Sequence, residues 1–271
     1  MSATPLFVTD LDGTLLDERT YSYEPARPAL AALAERGIGL ILASSKTRAE
    51  MEPLAEALGL RSPMIVENGG AYLMPRPDGG YESFALGVER EWLVRALGAI
   101  AREADLDLLG FSSLTPEEVS ARTGLDVPAA TLALDRAYDE PFLLTDDGRW
   151  PDLEAAAARR GLKATRGGRF GHLTGEASKG RAFREVLARL GGAGRFLTVG
   201  LGDAPNDLSL LLGVDRPIVV PRGDGLPHPA LSAALPHADR APAPGPEGWN
   251  AAVLAVLFGR ELPALGPRGG H

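Results

Sequence analysis

The chain has 271 residues, 45% of them hydrophobic, enough for one large domain or two modest ones with a sizeable core. Its net charge of −8, with no basic block, argues against a nucleic-acid or anionic-membrane partner. The absence of cysteine excludes disulfides, a thiolate nucleophile and thiolate metal sites; with no membrane-length apolar run and no signal-peptide pattern, a cytoplasmic protein is expected.

"LFVT" (6–9) reads as a buried strand, 27–37 as a helix ending on glycine, 38–44 as a second apolar strand and 48–60 as a second helix. "MIVENGGAYLM" (64–74) reads as strand, Asn-Gly turn and strand. This is the β-α-β-α-β order of a parallel sheet. The middle differs: helices at 88–104, 115–123, 128–139 and 152–160, with strands at 141–145 and 169–174. Thr115 and Glu118 give the third-from-cap spacing of a capping box. The first pattern then returns, with helices at 179–192, 206–214 and 246–258 and strands at 195–203 and 216–221. Residues after about 260 read as a tail. The expected architecture is a Rossmann-like parallel-sheet α/β core of residues 1–84 and 174–271, with an inserted α+β domain at 85–173.

Four constellations stand at strand ends or helix starts. The first is Asp10-Leu11-Asp12-Gly13-Thr14: residues two apart on a strand share a face, and ligands of open parallel sheets bind beyond the carboxyl ends of the strands. The second is Ser44-Ser45-Lys46-Thr47, where hydroxyls and backbone N–H groups before a helix suit a phosphate. The third is Lys179, one of three lysines among 28 basic residues, placed where the helix dipole prefers an anion. The fourth is "GDAPND", which brings Asp203, Asn206 and Asp207 to a strand end, an oxygen-rich set suited to Mg²⁺. An acidic turn, a helix cap, a solvated lysine and a glycine-rich loop would each explain one of these. Four such accidents on one sheet are a poorer account than a single phosphoryl-transfer site.

In this order the motifs resemble those of the haloacid dehalogenase-like hydrolases: DxDGT, a strand-end serine or threonine, a lysine and GDxxND. The insertion resembles that of the branch with a large α/β cap domain. "ASSKT", "ENGG", "RAYDEPF" (136–142) and "GRFGHLTGEASKG" (168–180) are further similar to the mannosyl-3-phosphoglycerate phosphatases. The resemblance implies a Mg²⁺-dependent phosphatase with Asp10 as nucleophile and Asp12 as general acid and base. It implies that Ser44 and Lys179 hold the transferring oxygens, and that Asp10, the Asp12 carbonyl and Asp203 bind the metal with Asp207 in support. The partner it implies is a small phosphorylated sugar-glycerate, with neither nucleic acid nor membrane.

Substrate contacts are expected among Ser45, Lys46, Asn68, Gly69, Arg136, Arg166, Arg169, His172, Thr174 and Asn206. Each also has a plain structural reading: a hairpin turn for Asn68-Gly69, a strand residue for His172, solvated side chains for the three arginines, a hinge for Thr174. Another sugar or nucleotide phosphatase, a phosphomutase, or an idle phosphate-binding regulator are the alternatives.

Overall fold

The computed structural model describes residues 4–167, 170–192 and 194–265. In chain order the elements are β1 Thr4–Thr9, α1 Arg27–Glu35, β2 Gly39–Ala43, α2 Arg48–Ala57, β3 Met64–Val66, β4 Ala71–Pro75, β5 Tyr81–Ala85 and α3 Arg90–Glu103. Then come β6 Leu108–Gly110, α4 Pro116–Thr123, α5 Val127–Leu134, β7 Glu140–Leu144, α6 Trp150–Ala158, β8 Lys163–Arg166 and β9 Gly171–Thr174. The last are α7 Lys179–Arg189, β10 Phe196–Gly202, α8 Leu208–Leu211, β11 Arg216–Val219, α9 Pro229–Ala234, β12 Asp239–Arg240 and α10 Gly245–Leu257.

By packing, the chain divides into two units: Met1–Ser44 with Ser62–Met64 and Lys179–His271, and Ser45–Arg61 with Ile65–Ser178. The first unit carries five strands in the order β12-β11-β10-β1-β2, all parallel. Leu6, Phe7, Val8 and Thr9 of β1 are all buried, as a strand covered on both faces requires. The chain leaves β1 towards β2 on one side and returns to β10 on the other, which makes the carboxyl end of β1 a switch point in strand order. Register brings the ends level: Thr9 lies beside Leu42 and Leu201, and the Asp10 N–H donates to the Leu201 carbonyl at 2.9 Å. Helix α7 buries Ala182, Phe183, Val186 and Leu187, a helical stripe, and its first residue, Lys179, is buried as well.

The second unit contains the β4–β5 hairpin and an antiparallel sheet in the order β6-β7-β9-β8. One face of that sheet packs Phe142 and Leu173 against Leu93, Leu97 and Ile100 of α3 and Trp150 and Leu153 of α6. Both threonine caps form complete capping boxes, Thr47 with Glu50 on α2 and Thr115 with Glu118 on α4.

One expectation needs correction, and three strands were not expected. The helix expected over 128–139 ends at Leu134, and residues 135–139 form a connection tied down by the Glu67 carboxylate and by the Arg136 side chain on the Ser45 carbonyl. The short helix expected over 206–214 is present, a tight turn at Pro205–Asp207 running into the helical Leu208–Leu211. Strands β5, β6 and β8 had no sequence signal, because "YESFA", "LLG" and "KATR" are too short or too polar to show an apolar alternation.

Candidate active site

Asp10 follows β1, Ser44 follows β2, Asp203 follows β10, and Lys179 opens α7. The Lys179 ammonium is wholly buried and donates to Asp10 Oδ1 at 2.5 Å and to Asp207 Oδ1 at 2.6 Å. Asp207 Oδ2 accepts the N–H groups of Asp203 and Ala204 at 3.1 and 3.0 Å. Both oxygens of Asp207 are thereby committed to holding the lysine and the loop. Thr14, within the first motif, donates its hydroxyl to Asp203 Oδ1 at 2.8 Å, a role sequence reading left unassigned. Gly13 has φ +80°, and a Cβ there would lie 2.9 Å from Asp203 Oδ2, so glycine is required both by the turn and by the carboxylate. Asp12 sits in the same turn, bridged to Leu16, and Ser44 is buried. Asn206 lies in the half-buried Pro205–Asp207 turn. Behind the site the buried Trp249 donates Nε1–H to the Thr9 hydroxyl at 2.9 Å.

Carboxylate oxygens of Asp10, Asp203 and Asp207 lie within 4.8 Å of one another. Three carboxylates against one ammonium leave the cluster short of positive charge. Burial and the Asp207 charge push the Asp10 carboxyl up to about 7, against the pull of Lys179. Burial, then Asp10 and Asp207, raise Asp203 as well. Lys179 moves the other way from what burial alone would do: the two carboxylates hold it charged, above its ordinary value. A hard divalent cation fits this set, since every donor is a carboxylate oxygen and the deficit is positive charge.

In the second unit Asn68, Arg136 and His172 meet on one buried carboxylate, Asp139, which sequence reading did not single out. Its Oδ2 accepts from Asn68 Nδ2 at 3.0 Å, His172 Nδ1 at 2.8 Å and Arg136 at 3.3 Å. Asn68 and Gly69 have φ of +57° and +90° in a turn closed by the Gly70 N–H on the Glu67 carbonyl, so the Asn-Gly signal is a turn as expected. Arg166, half-exposed, lies over the Trp150 ring at 4.3 Å, pairs with Asp147 at 3.1 Å and lines a cavity of about 310 Å³ with Thr145, Phe170 and Gly171. Lys46 lies 3.8 Å from Glu50, and Thr174 is buried opposite Lys163 on β8. Arg169 lies outside the described residues.

A family model described as haloacid dehalogenase-like hydrolase matches residues 7–78. A protein of Persephonella marina named glucosyl-3-phosphoglycerate/mannosyl-3-phosphoglycerate phosphatase is 38% identical over 268 residues, 92% of this chain and 96% of that protein. One of the same name from Methanococcoides burtonii is 38% identical over 270 residues, 93% of this chain and 97% of that protein. The crystal structure of a haloacid dehalogenase-like hydrolase from Bacteroides thetaiotaomicron shares the fold, with a TM-score of 0.65 at 20% identity over 94% of this chain and 99% of that one.

Proposed function

The chain belongs to the haloacid dehalogenase-like hydrolases, and from that premise we propose that it is a Mg²⁺-dependent phosphatase of mannosyl-3-phosphoglycerate and its glucosyl analogue. The observation that carries the chemistry is the buried Asp10–Lys179–Asp207 chain beside Asp203, at the level ends of three parallel strands. The substrate class rests on the relatives' names together with their near-complete coverage of this chain.

In this reading Asp10 attacks phosphorus and the bond to the glycerate oxygen breaks, leaving an aspartyl-phosphate. Asp12 gives its proton to the departing oxygen. It then takes one from the water that attacks the aspartyl-phosphate, which frees inorganic phosphate and regenerates Asp10. Lys179 orients Asp10 and balances charge on the transferring oxygens, with Ser44 as a further donor. A carboxylate about 4 Å from a single phosphate charge is opposed by roughly 4 kcal/mol at an effective dielectric near 20, so one lysine cannot hold a phosphate among these acids. Asp10, Asp203 and the Asp12 carbonyl would hold Mg²⁺, which supplies the missing positive charge. Asp207 acts through its hydrogen bonds to Lys179 and the Asp203 loop.

Residues 85–173 are the proposed substrate-selecting cap domain of a core formed by 1–84 and 174–271. The glycerate carboxylate needs a cation there, and Arg166 combines partial exposure with a cavity wall. A screen of phosphate release across mannosyl-3-phosphoglycerate, its glucosyl analogue, mannose phosphates and nucleotides tests the proposal. A 100-fold advantage in kcat/KM for the glycerate compounds, roughly 3 kcal/mol, is the expected result. Equal turnover of mannose phosphates would leave a general sugar phosphatase.

A further inference from the structure

The three residues after Ser44 are held by contacts that helix α2 does not need. The Thr47–Glu50 capping box already satisfies the start of that helix. Beyond it, Arg136 donates to the Ser45 carbonyl at 2.9 Å, the Glu67 N–H donates to the Lys46 carbonyl at 2.9 Å, and the Thr47 hydroxyl donates to the Leu132 carbonyl at 2.8 Å. Glu67 is fixed in turn, its carboxylate accepting the N–H groups of Ala137 at 3.0 Å and Tyr138 at 2.7 Å. Residues 132–138 thus reach this segment directly at Ser45 and Thr47, and through Glu67 at Lys46.

Arg136 is central to this arrangement. Its side chain is only 6% exposed. Its Nε donates to the Ala133 carbonyl at 2.9 Å, and a terminal nitrogen serves both Ser45 and Asp139. Asp139 is wholly buried, and His172 and Asn68 bind the same oxygen that faces Arg136. A trans peptide has its C=O and N–H antiparallel, so anchoring the Ser45 carbonyl also fixes the direction of the Lys46 N–H.

We infer that Arg136 is a positioning residue for phosphate binding: through the Ser45 carbonyl it orients the Ser45–Lys46 peptide, and Asp139 with His172 holds the guanidinium in place. This rests on the phosphatase reading above and assigns Arg136 to the phosphate end of the substrate rather than to the glycerate carboxylate. Its effect is therefore common to every phosphomonoester, whatever the leaving group.

The test uses the full chain with Mg²⁺, p-nitrophenyl phosphate and mannosyl-3-phosphoglycerate as substrates, and inorganic phosphate as inhibitor. Arg136→Ala is expected to lower kcat/KM on both substrates by one common factor of about tenfold and to weaken phosphate inhibition about fivefold, as a displaced binding group does. Arg136→Gln, which keeps a donor for the Ser45 carbonyl, recovers most of both losses. A loss confined to mannosyl-3-phosphoglycerate would overturn the inference, because Arg136 would then touch the glycerate. So would a fall in kcat that follows the folded fraction with phosphate inhibition unchanged, the mark of a purely structural role. If Arg136→Ala does not fold, Asp139→Asn carries the test: a common loss of about threefold with weakened phosphate inhibition supports the inference, and unchanged inhibition overturns it. Should the wild type hydrolyse p-nitrophenyl phosphate but ignore mannosyl-3-phosphoglycerate, the substrate proposal fails alone, and the p-nitrophenyl phosphate and inhibition measurements still decide the role of Arg136.

Discussion

At the strand ends, Asp10 and Asp207 share one buried ammonium with Asp203 beside them; in the other unit, the buried Asp139 meets a guanidinium, an imidazole and a carboxamide. Both clusters are removed from water, yet their acids shift in opposite directions. Burial drives Asp10 and Asp203 up, and neighbouring carboxylates add to it. Burial opposes the charge on Asp139 too, but His172, Arg136 and Asn68 outweigh it and hold Asp139 below the ordinary range. A cluster that is short of cations waits for one to arrive, whereas a cluster that is balanced holds its neighbours still. On the reading proposed above, that contrast would separate chemistry from positioning without reference to any motif.

The largest test of the contrast is to neutralise one carboxylate in each cluster. Asp10→Asn is expected to reduce phosphate release by about 10⁴-fold or more, the scale of losing a nucleophile, and to raise the melting temperature of the metal-free protein at pH 8. Asp139→Asn is expected to lower that melting temperature, by about 1–3 kcal/mol of stability, because it leaves buried donors poorly matched. Opposite signs in thermal melts support the comparison, and a shared sign breaks it.

Metal removal is expected to act on the strand-end cluster alone. EDTA is expected to abolish turnover and Mg²⁺ to restore it, with Asp203→Ala raising the Mg²⁺ concentration needed for half-activity at least tenfold. Full activity in metal-free protein would refute the cation reading.

Substrate preference tests the part proposed for residues 85–173. Arg166→Ala is expected to lose about tenfold more kcat/KM on mannosyl-3-phosphoglycerate than on p-nitrophenyl phosphate, since only the former carries a carboxylate. Equal losses would remove Arg166 from the glycerate site.

The smallest effect is on stability against pH. Asp10 ionises at 3.8 in an ordinary setting and at about 7 here, so between those values the folded chain binds the extra proton. Stability of the metal-free protein therefore falls as pH rises from about 4 to about 7. Mg²⁺ is expected to raise the melting temperature more at pH 8 than at pH 5. A metal-free melting temperature that rises across that window would show the acids to be compensated already.

The two clusters were not equally legible in the sequence. Asp10, Ser44, Lys179 and Asp203 announce themselves because each follows an apolar strand or opens an amphipathic helix, and strand ends in a parallel sheet converge. Thr14 stood inside a recognised motif, but its bond to Asp203 links positions 189 residues apart, and no spacing rule reports that. Asp139 gave less still, and Glu67 was visible only as part of a turn. A lone acid in a connecting segment looks the same whether it faces water or lies buried, and the helix expected over 128–139 hid the segment that carries it. Arg136 read as a solvated cap residue for the same reason. Burial of a polar side chain is decided by partners distant in sequence, here Ser45 and His172.

The level register of β1, β2 and β10 also bears on how the enzyme comes into being. Lys179 and Asp10 are 169 residues apart, and Thr14 and Asp203 are 189 apart, so the contacts that tie the first motif into the strand-end cluster have high contact order, while the bonds of Asp207 to its own loop are local. Such contacts form only after long loops have closed, which makes them slow. During synthesis the second unit, whose residues all precede Lys179, can pack before β10 has left the ribosome. Catalytic competence therefore arrives late and all at once, with the insertion of β10 beside β1. Refolding followed by both tryptophan fluorescence and phosphatase activity would show the signal of Trp150 in the second unit recovering first and turnover last.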